Sequence, residues 1–159
     1  MKVLETKKQL THYCSMLRAT ARKAHREQGA SAQYEDVMDR LEETLRHAGA
    51  SYAHGVWLPD KVGGVSMNCG LLVDLVIEDK VAVLLDTDKR AMRNLEQEAR
   101  LCLERREFDG VIVIMLYEEL HCRRFTRRTC PGLSSERHRA RQKSATVRRR
   151  DDSAINNNG

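Results

Sequence analysis

A chain of 159 residues has room for one ordinary domain with extensions, because a single hydrophobic core commonly forms within about 100–150 residues. The longest apolar run, at 111–117, is seven residues, so the sequence predicts no membrane-spanning helix, which needs about 20. Lys and Arg number 28 against 23 Asp and Glu, and this modest basic excess is distributed very unevenly along the chain.

The first 30 residues predict a basic amphipathic helical extension. Apolar residues return at helical spacing, with Lys and Arg between them, at Leu10, Cys14, Leu17, Ala21 and Ala24. Two interpretations stay open for this segment: an organellar targeting peptide, for which its two glutamates are unusual, or a helix that docks on a partner.

Residues 31–121 predict an α/β domain. Periodicity and turn residues place a helix, three strands, a second helix and a fourth strand at 31–48, 52–58, 71–77, 81–85, 90–106 and 111–117. The last three strands are rich in Val, Ile and Leu, which is typical of strands buried on both faces of a sheet. The helix between the last two strands predicts a parallel crossover, and therefore a mixed sheet.

Residues 122–159 predict a basic extended tail without a core of its own. The charge is segregated: residues 1–28 hold seven basic and two acidic side chains, residues 29–121 ten and eighteen, and residues 122–150 eleven and one. Clustered Lys and Arg side chains bind a phosphate backbone favourably, because binding releases the counterions condensed on it. The basic segments therefore predict RNA binding. The candidate RNA-binding residues are Arg123, Arg124, Arg127, Arg128, Arg137, Arg139, Arg141, Lys143, Arg148, Arg149 and Arg150.

The five cysteines are scattered and show no paired spacing, which favours free thiols in a reducing compartment. His121, Cys122 and Cys130 are a conceivable metal set, but structural zinc sites usually show two close pairs. Trp57, the only tryptophan, is expected in the core rather than as a platform on which RNA bases stack.

The two central predicted strands resemble PD-(D/E)XK nucleases. In that family a strand aspartate is followed on the next strand by an acidic residue and, two positions on, a lysine, and the carboxylates hold a divalent metal. Asp74 matches the first position, but Leu84 stands where the acidic residue is expected and Asp86 where the lysine is expected. The resemblance implies a restriction-endonuclease-like fold without catalytic residues, metal or cofactor. The alternative is a divergent metal-dependent nuclease in which Asp74, Asp86 and either Asp88 or Glu35 form a rearranged site.

The closer resemblance is to the RAP domain, an endonuclease-like module of organellar RNA-binding proteins, and it covers residues 50–120. That family has a strand beginning with aspartate, a short turn, and a strand ending in Glu-x-Asp-Gly-Pro. The chain matches at Asp74, Lys80, Ala82 and Asp86 and departs at Leu84, Thr87 and Asp88. The resemblance implies RNA binding in mitochondria or plastids, within RNA processing or ribosome assembly.

These observations predict a non-catalytic component of a mitochondrial ribonucleoprotein, in the ribosome or its assembly, with no membrane partner. The expected partners are RNA, in particular rRNA, and protein subunits that contact the acidic domain. A third interpretation is a scaffold module whose basic segments contact acidic proteins and no nucleic acid.

Overall fold

The computed structural model describes residues 2–131 and residue 133, and there a five-stranded sheet lies between two helical layers. The helices and strands, in chain order, are α1 (Lys2–Gln28), α2 (Tyr34–His47), β1 (Tyr52–Val62), β2 (Val65–Ile77), β3 (Val81–Asp86), α3 (Leu95–Arg105), β4 (Gly110–Leu116) and β5 (Leu120–Phe125). Short 3-10 turns follow α1 at Gly29–Ser31 and precede α3 at Lys89–Ala91. Within these described residues, no helix combines the length and apolar composition needed to cross a bilayer.

The strands lie in the order β1-β2-β3-β4-β5. The pair β3 and β4 is parallel, and the other neighbouring pairs are antiparallel. A parallel pair needs a crossover connection, and α3 supplies it between these two strands. The predicted α/β class and mixed sheet are therefore confirmed.

Two apolar clusters hold the layers together. On one face of the sheet, α1 and α2 pack against alternate residues of β3 and β4, such as Val83 and Ile112; on the other face, α3 packs against residues such as Leu84 and Val113. We call these the α1/α2 side and the α3 side. Because both faces are covered, β3 is buried along its whole length, as its continuous apolar run predicts.

Helix α1 is part of this core. Its apolar stripe, predicted at helical spacing, is buried on the α1/α2 side at Leu10, Cys14, Leu17, Ala21 and Ala24. The helix approaches the sheet so closely that a Cβ atom added at Gly110 would lie 2.5 Å from the Leu10 side chain. The apolar face of the predicted extension is thus covered by the chain's own sheet.

The segment after residue 119 differs from the prediction. Residues 122–125, predicted as the start of an extended tail, belong to β5, which pairs antiparallel with β4 along its length. Phe125, Cys130 and Leu133 are then buried in the α3 side. The order helix, three strands, helix, strand is therefore followed by one further strand. The extended tail was predicted from the high positive charge of this segment. An edge strand, however, needs only a few apolar side chains to hold it in place.

Three element boundaries also differ from the prediction, each for a local reason: the end of β1, the start of β2 and the start of α3. Strands β1 and β2 extend past the predicted ends into a long hairpin that turns at Gly63 and Gly64, both with positive φ. Pro59 stays inside β1 because an edge strand can lose one backbone donor. Helix α3 begins at Leu95, since Met92 has left-handed backbone angles that end the preceding turn.

Candidate nucleic-acid interface

Asp74 lies where strands β2 and β3 separate. Their pairing ends at Leu75 opposite Val83. Beyond this pair, the backbone N–H of Leu85 donates to Oδ2 of Asp74 at 2.8 Å. The carboxylate therefore satisfies a buried backbone donor that β2 no longer reaches.

Strand β2 also changes the face it presents at Asp74. Val73 packs on the α3 side, whereas Leu75 packs on the α1/α2 side, although residues two apart in a regular strand share a face. In β1 the register skips Gly55, which lies opposite Asp74 and has a φ of +64°. A glycine adopts this left-handed conformation without steric cost. The irregularity explains why the two neighbours of Asp74 are buried on opposite sides of the sheet.

The Asp74 carboxylate, 6% exposed, is compensated from two sides. The Tyr34 hydroxyl, from the start of α2, donates to Oδ1, and the Arg93 guanidinium lies 3.5 Å from Oδ2. Arg93 also donates to the Leu85 carbonyl at 2.7 Å and to both Glu98 oxygens at 2.9 and 3.1 Å. Burial and the hydrogen bond to Asp74 raise the pKa of Tyr34. Burial by itself would lower the pKa of Arg93. The hydrogen bond to Glu98 and the negative charges of Glu98 and Asp74 have the larger combined effect, so the pKa is raised.

Asp86, the last residue of β3, is 4% exposed and has its own partners. The hydroxyl of Tyr117, which follows β4, donates to Oδ2, and the backbone N–H of Asp88 donates to Oδ1 at 3.1 Å. The parallel pairing of β3 with β4 brings Asp86 and Tyr117 to the same end of the sheet. Burial, followed by the hydrogen bond to Asp86, raises the pKa of Tyr117 to about 12.

The two carboxylates thus join α2, β3 and the loop before α3 in a polar network in which all four of their oxygens accept hydrogen bonds. Leu84 is fully buried on the α3 side, so a carboxylate at its position would point into an apolar core. Of the other acids considered for a nuclease site, Asp88 and Glu35 are exposed on different elements. In the described part of the chain, no group of three or more His, Cys, Asp or Glu side chains is arranged to hold a metal.

The two basic segments of the sequence meet on one side of the fold. Helix α1 lies beside the edge strand β5, where the Arg18 guanidinium donates to the Cys122 carbonyl at 3.0 Å. The Arg124 guanidinium donates to the Thr11 hydroxyl at 2.6 Å, also between α1 and β5. Segments predicted as separate arms therefore share one surface. We call it the α1–β5 face, defined by Arg18, Arg22, His121, Arg123 and Arg124.

A hollow of about 260 Å³ lies in this face, lined by Arg18, Arg22, Leu120, His121, Cys122 and Arg123. Among the described residues, no carboxylate lines it. Arg22 is exposed and makes no hydrogen bond or ion pair with any described residue. The nearest acids to the other cations are Glu119, 3.8 Å from His121, and Glu96, 3.9 Å from Arg123, in pairs that are exposed. Exposed ion pairs of this length contribute little, so the hollow stays cationic.

Sequence reasoning missed Arg18 and Arg22. The sequence did contain a pattern that could have identified them. Arg18 and Arg22 lie four residues apart on α1, beside the apolar stripe, and so project from the same flank of the helix. What the sequence lacked was the position of β5 next to that flank.

The predicted RNA-binding arginines fall into three groups. Arg123 and Arg124 lie on β5, and Arg124 reaches α1. Arg123 lines the edge of the hollow, and its guanidinium stacks at 5.0 Å over the Phe125 ring on the α3 side. Arg127 is half-buried and donates to the Arg106 carbonyl at 3.2 Å, so the fold uses it, while Arg128 is exposed. The remaining predicted residues, Arg137, Arg139, Arg141, Lys143, Arg148, Arg149 and Arg150, lie outside the described residues.

Trp57 is not a core residue, in contrast to the prediction. It is 51% exposed on β1, and its cross-strand partner Leu72 is 52% exposed. The neighbouring side chains Val56 and Leu58 pack on the α3 side, so Trp57 points to the opposite face, where this part of the hairpin is uncovered.

His121, Cys122 and Cys130 do not form a common site. Cys122 packs against the α1/α2 side and Cys130 is buried on the α3 side, so the sheet separates the two thiols. His121 is exposed at the edge of the hollow.

Comparison with known proteins adds no family to this description. The chain matches no protein-family model, no curated protein and no solved structure. The fold and the geometry of the α1–β5 face therefore carry the functional argument.

Proposed function

We propose that this protein is a non-catalytic, RNA-associated component of a mitochondrial ribonucleoprotein, in the ribosome or in its assembly. The observation that carries the proposal is the convergence of the two basic segments on the α1–β5 face. RNA phosphates bind along this face, and the predicted basic residues after Leu133 extend the same contact. The organellar setting and rRNA as the partner rest on the resemblance to the RAP domain alone.

Charge supports a phosphate ligand. Residues 29–121 hold eighteen acidic and ten basic side chains, so most of the domain repels a polyanion. The α1–β5 face is the exception, because its cations are on the surface and the described residues that line its hollow include no carboxylate. Arginine suits this role, since its planar guanidinium donates two parallel hydrogen bonds to one phosphate.

Strand cleavage is not part of the proposal. The hydrogen bonds to Asp74 and Asp86 occupy the oxygens that a catalytic metal would need, and Arg93 already balances the Asp74 charge. An assay of the purified protein with magnesium or manganese on single-stranded and duplex RNA and DNA tests the nuclease alternative directly. Cleavage that is lost in Asp74→Ala would favour that alternative over ours.

The binding test compares full-length variants of equal charge. Arg22→Glu changes a side chain on the hollow that has no partner among described residues, and Arg46→Glu makes the same charge change at an exposed position of α2. Affinity for labelled single-stranded and duplex RNA is measured by fluorescence anisotropy over a salt series. We expect Arg22→Glu to weaken binding and to lower the salt slope by about 1, and Arg46→Glu to do neither.

A third full-length variant separates the tail from the face. It replaces the seven basic residues between 137 and 150 with serine and should also lower affinity and slope. Equal losses in Arg22→Glu and Arg46→Glu would mean that net charge alone matters and that the face is not an interface. If wild-type protein does not bind RNA but binds polyglutamate, the scaffold interpretation replaces this proposal.

A further inference from the structure

Two thiols from distant parts of the chain are in contact beneath the hollow. Cys14 of α1 and Cys122 of β5 are 108 residues apart, and their sulfur atoms lie 3.9 Å from each other. Cys14 is 3% exposed, whereas Cys122 is half-buried and lines the hollow. Small solutes therefore reach the pair through Cys122.

The surroundings shift the pKa values of the two thiols in opposite directions. The contact with Cys122, together with the nearby charges of Arg18 and Arg124, lowers the pKa of Cys14. The same contact and burial raise the pKa of Cys122. Because the two thiols are in contact, they titrate as a pair.

We propose that Cys14 and Cys122 are an oxidative modification site, at which hydrogen peroxide converts the thiol pair to a disulfide that joins α1 to β5. This inference does not rest on RNA binding. It rests on the contact between the two sulfur atoms, on the access through the hollow, and on the packing that already holds the two elements together.

The reaction balances in two steps. In the first step, the Cys122 sulfur attacks a peroxide oxygen; a sulfur–oxygen bond forms, the oxygen–oxygen bond breaks, and the departing hydroxide takes the thiol proton and leaves as water. In the second step, the Cys14 sulfur attacks the sulfur of the Cys122 sulfenic acid. The sulfur–sulfur bond forms, the sulfur–oxygen bond breaks, and the departing hydroxide takes the Cys14 proton and leaves as a second water. Two sulfur atoms have lost two electrons, and the peroxide has gained them.

The two sulfur atoms are already close. They must approach from 3.9 Å to the bonding distance of about 2.05 Å. The backbones are already tied together, because Arg18 of α1 donates to the carbonyl of Cys122 itself at 3.0 Å. The bond would close a loop of more than 100 residues and so restrict the unfolded chain strongly.

The test oxidises full-length wild-type protein with hydrogen peroxide at neutral pH, blocks remaining thiols with N-ethylmaleimide and maps peptides without reduction. We expect a cross-linked peptide that contains Cys14 and Cys122 and is lighter than its two parts by two hydrogen atoms. Thermal unfolding should shift upward by about 5–10 °C and return after dithiothreitol.

Two cysteine variants test which residues form the cross-link. Cys69→Ser changes an exposed cysteine and should leave the cross-link and the thermal shift intact. Cys14→Ser should abolish both and leave a sulfenic acid on Cys122 that dimedone traps. The inference is wrong if Cys14 and Cys122 still react with N-ethylmaleimide after a peroxide dose that oxidises Cys69, or if Cys122 pairs with a cysteine of another chain. The wild-type peptide map decides the matter even if a variant fails to fold.

Discussion

Replacing Asp74 with alanine tests whether the strand aspartate holds the fold together. The variant removes a carboxylate that is 6% exposed and accepts hydrogen bonds from the Leu85 backbone and the Tyr34 hydroxyl. The Leu85 N–H is then left buried without its acceptor, and Arg93 loses the Asp74 charge while it keeps its hydrogen bonds to Glu98.

The size of the effect follows from those contacts. A hydrogen bond to a charged group contributes about 1.5–3 kcal/mol, and an unpaired buried donor costs about 1–3 kcal/mol. Part of this overlaps, so we expect Asp74→Ala to lower the free energy of unfolding by about 3–5 kcal/mol. Asp74→Asn keeps the shape and one acceptor oxygen and should lose about 2–3 kcal/mol.

Urea denaturation at pH 7, followed by far-ultraviolet circular dichroism, measures these losses. Tyr34→Phe alone should lower the free energy of unfolding by about 1–2 kcal/mol, and a double-mutant cycle with Asp74→Ala should give a coupling of about 1 kcal/mol or more. A loss below about 1 kcal/mol in Asp74→Ala would refute the structural role, because a buried network of this kind cannot be removed at so small a cost.

Two further predictions concern the end of the sheet. Phe125→Ala should lower the free energy of unfolding by about 3–5 kcal/mol in the same urea assay, because the ring is 3% exposed in the α3 side; an unchanged midpoint would mean that β5 is not part of the core. The pKa of Tyr117 is raised from 10.0 to about 12, so its contribution is complete below pH 10 and lost as the pH rises toward 12. Tyr117→Phe should therefore lose less stability than wild type over that interval in thermal melts, and parallel curves would contradict the buried bond to Asp86.

The sequence predicted the central elements well because their signals are local. The apolar runs that form β3 and β4 are continuous in the sequence. The charged residues between β2 and β3 predicted a turn, and in the structure Glu78 and Asp79 of this turn have positive φ. The apolar stripes of α1 and α2 were likewise predicted from the helical spacing of their apolar residues. Each of these features depends on residues within a few positions of one another.

The candidate site was less predictable because its parts are distant in the chain. Asp74 was identified as unusual, but its partners Tyr34 and Arg93 lie on other elements, and no local pattern connects them. Trp57 was expected in the core because tryptophan usually is, and the hairpin leaves it exposed. The partners of Asp74 and the exposure of Trp57 depend on which surfaces meet in the folded chain. These surfaces come from residues far apart in the sequence, so no local pattern predicts them.

The amino-acid order by itself determined the α/β class, the mixed sheet and the segregation of charge, since each follows from composition and periodicity. Only the tertiary structure decided that β5 pairs with β4, that α1 covers the sheet next to β5, and that two basic segments therefore form one face. The reason is physical: burial of Leu10 and Leu17 on the α1/α2 side holds α1 beside β5 and so brings Arg18 close to Arg124, whereas their charges alone would have kept them apart.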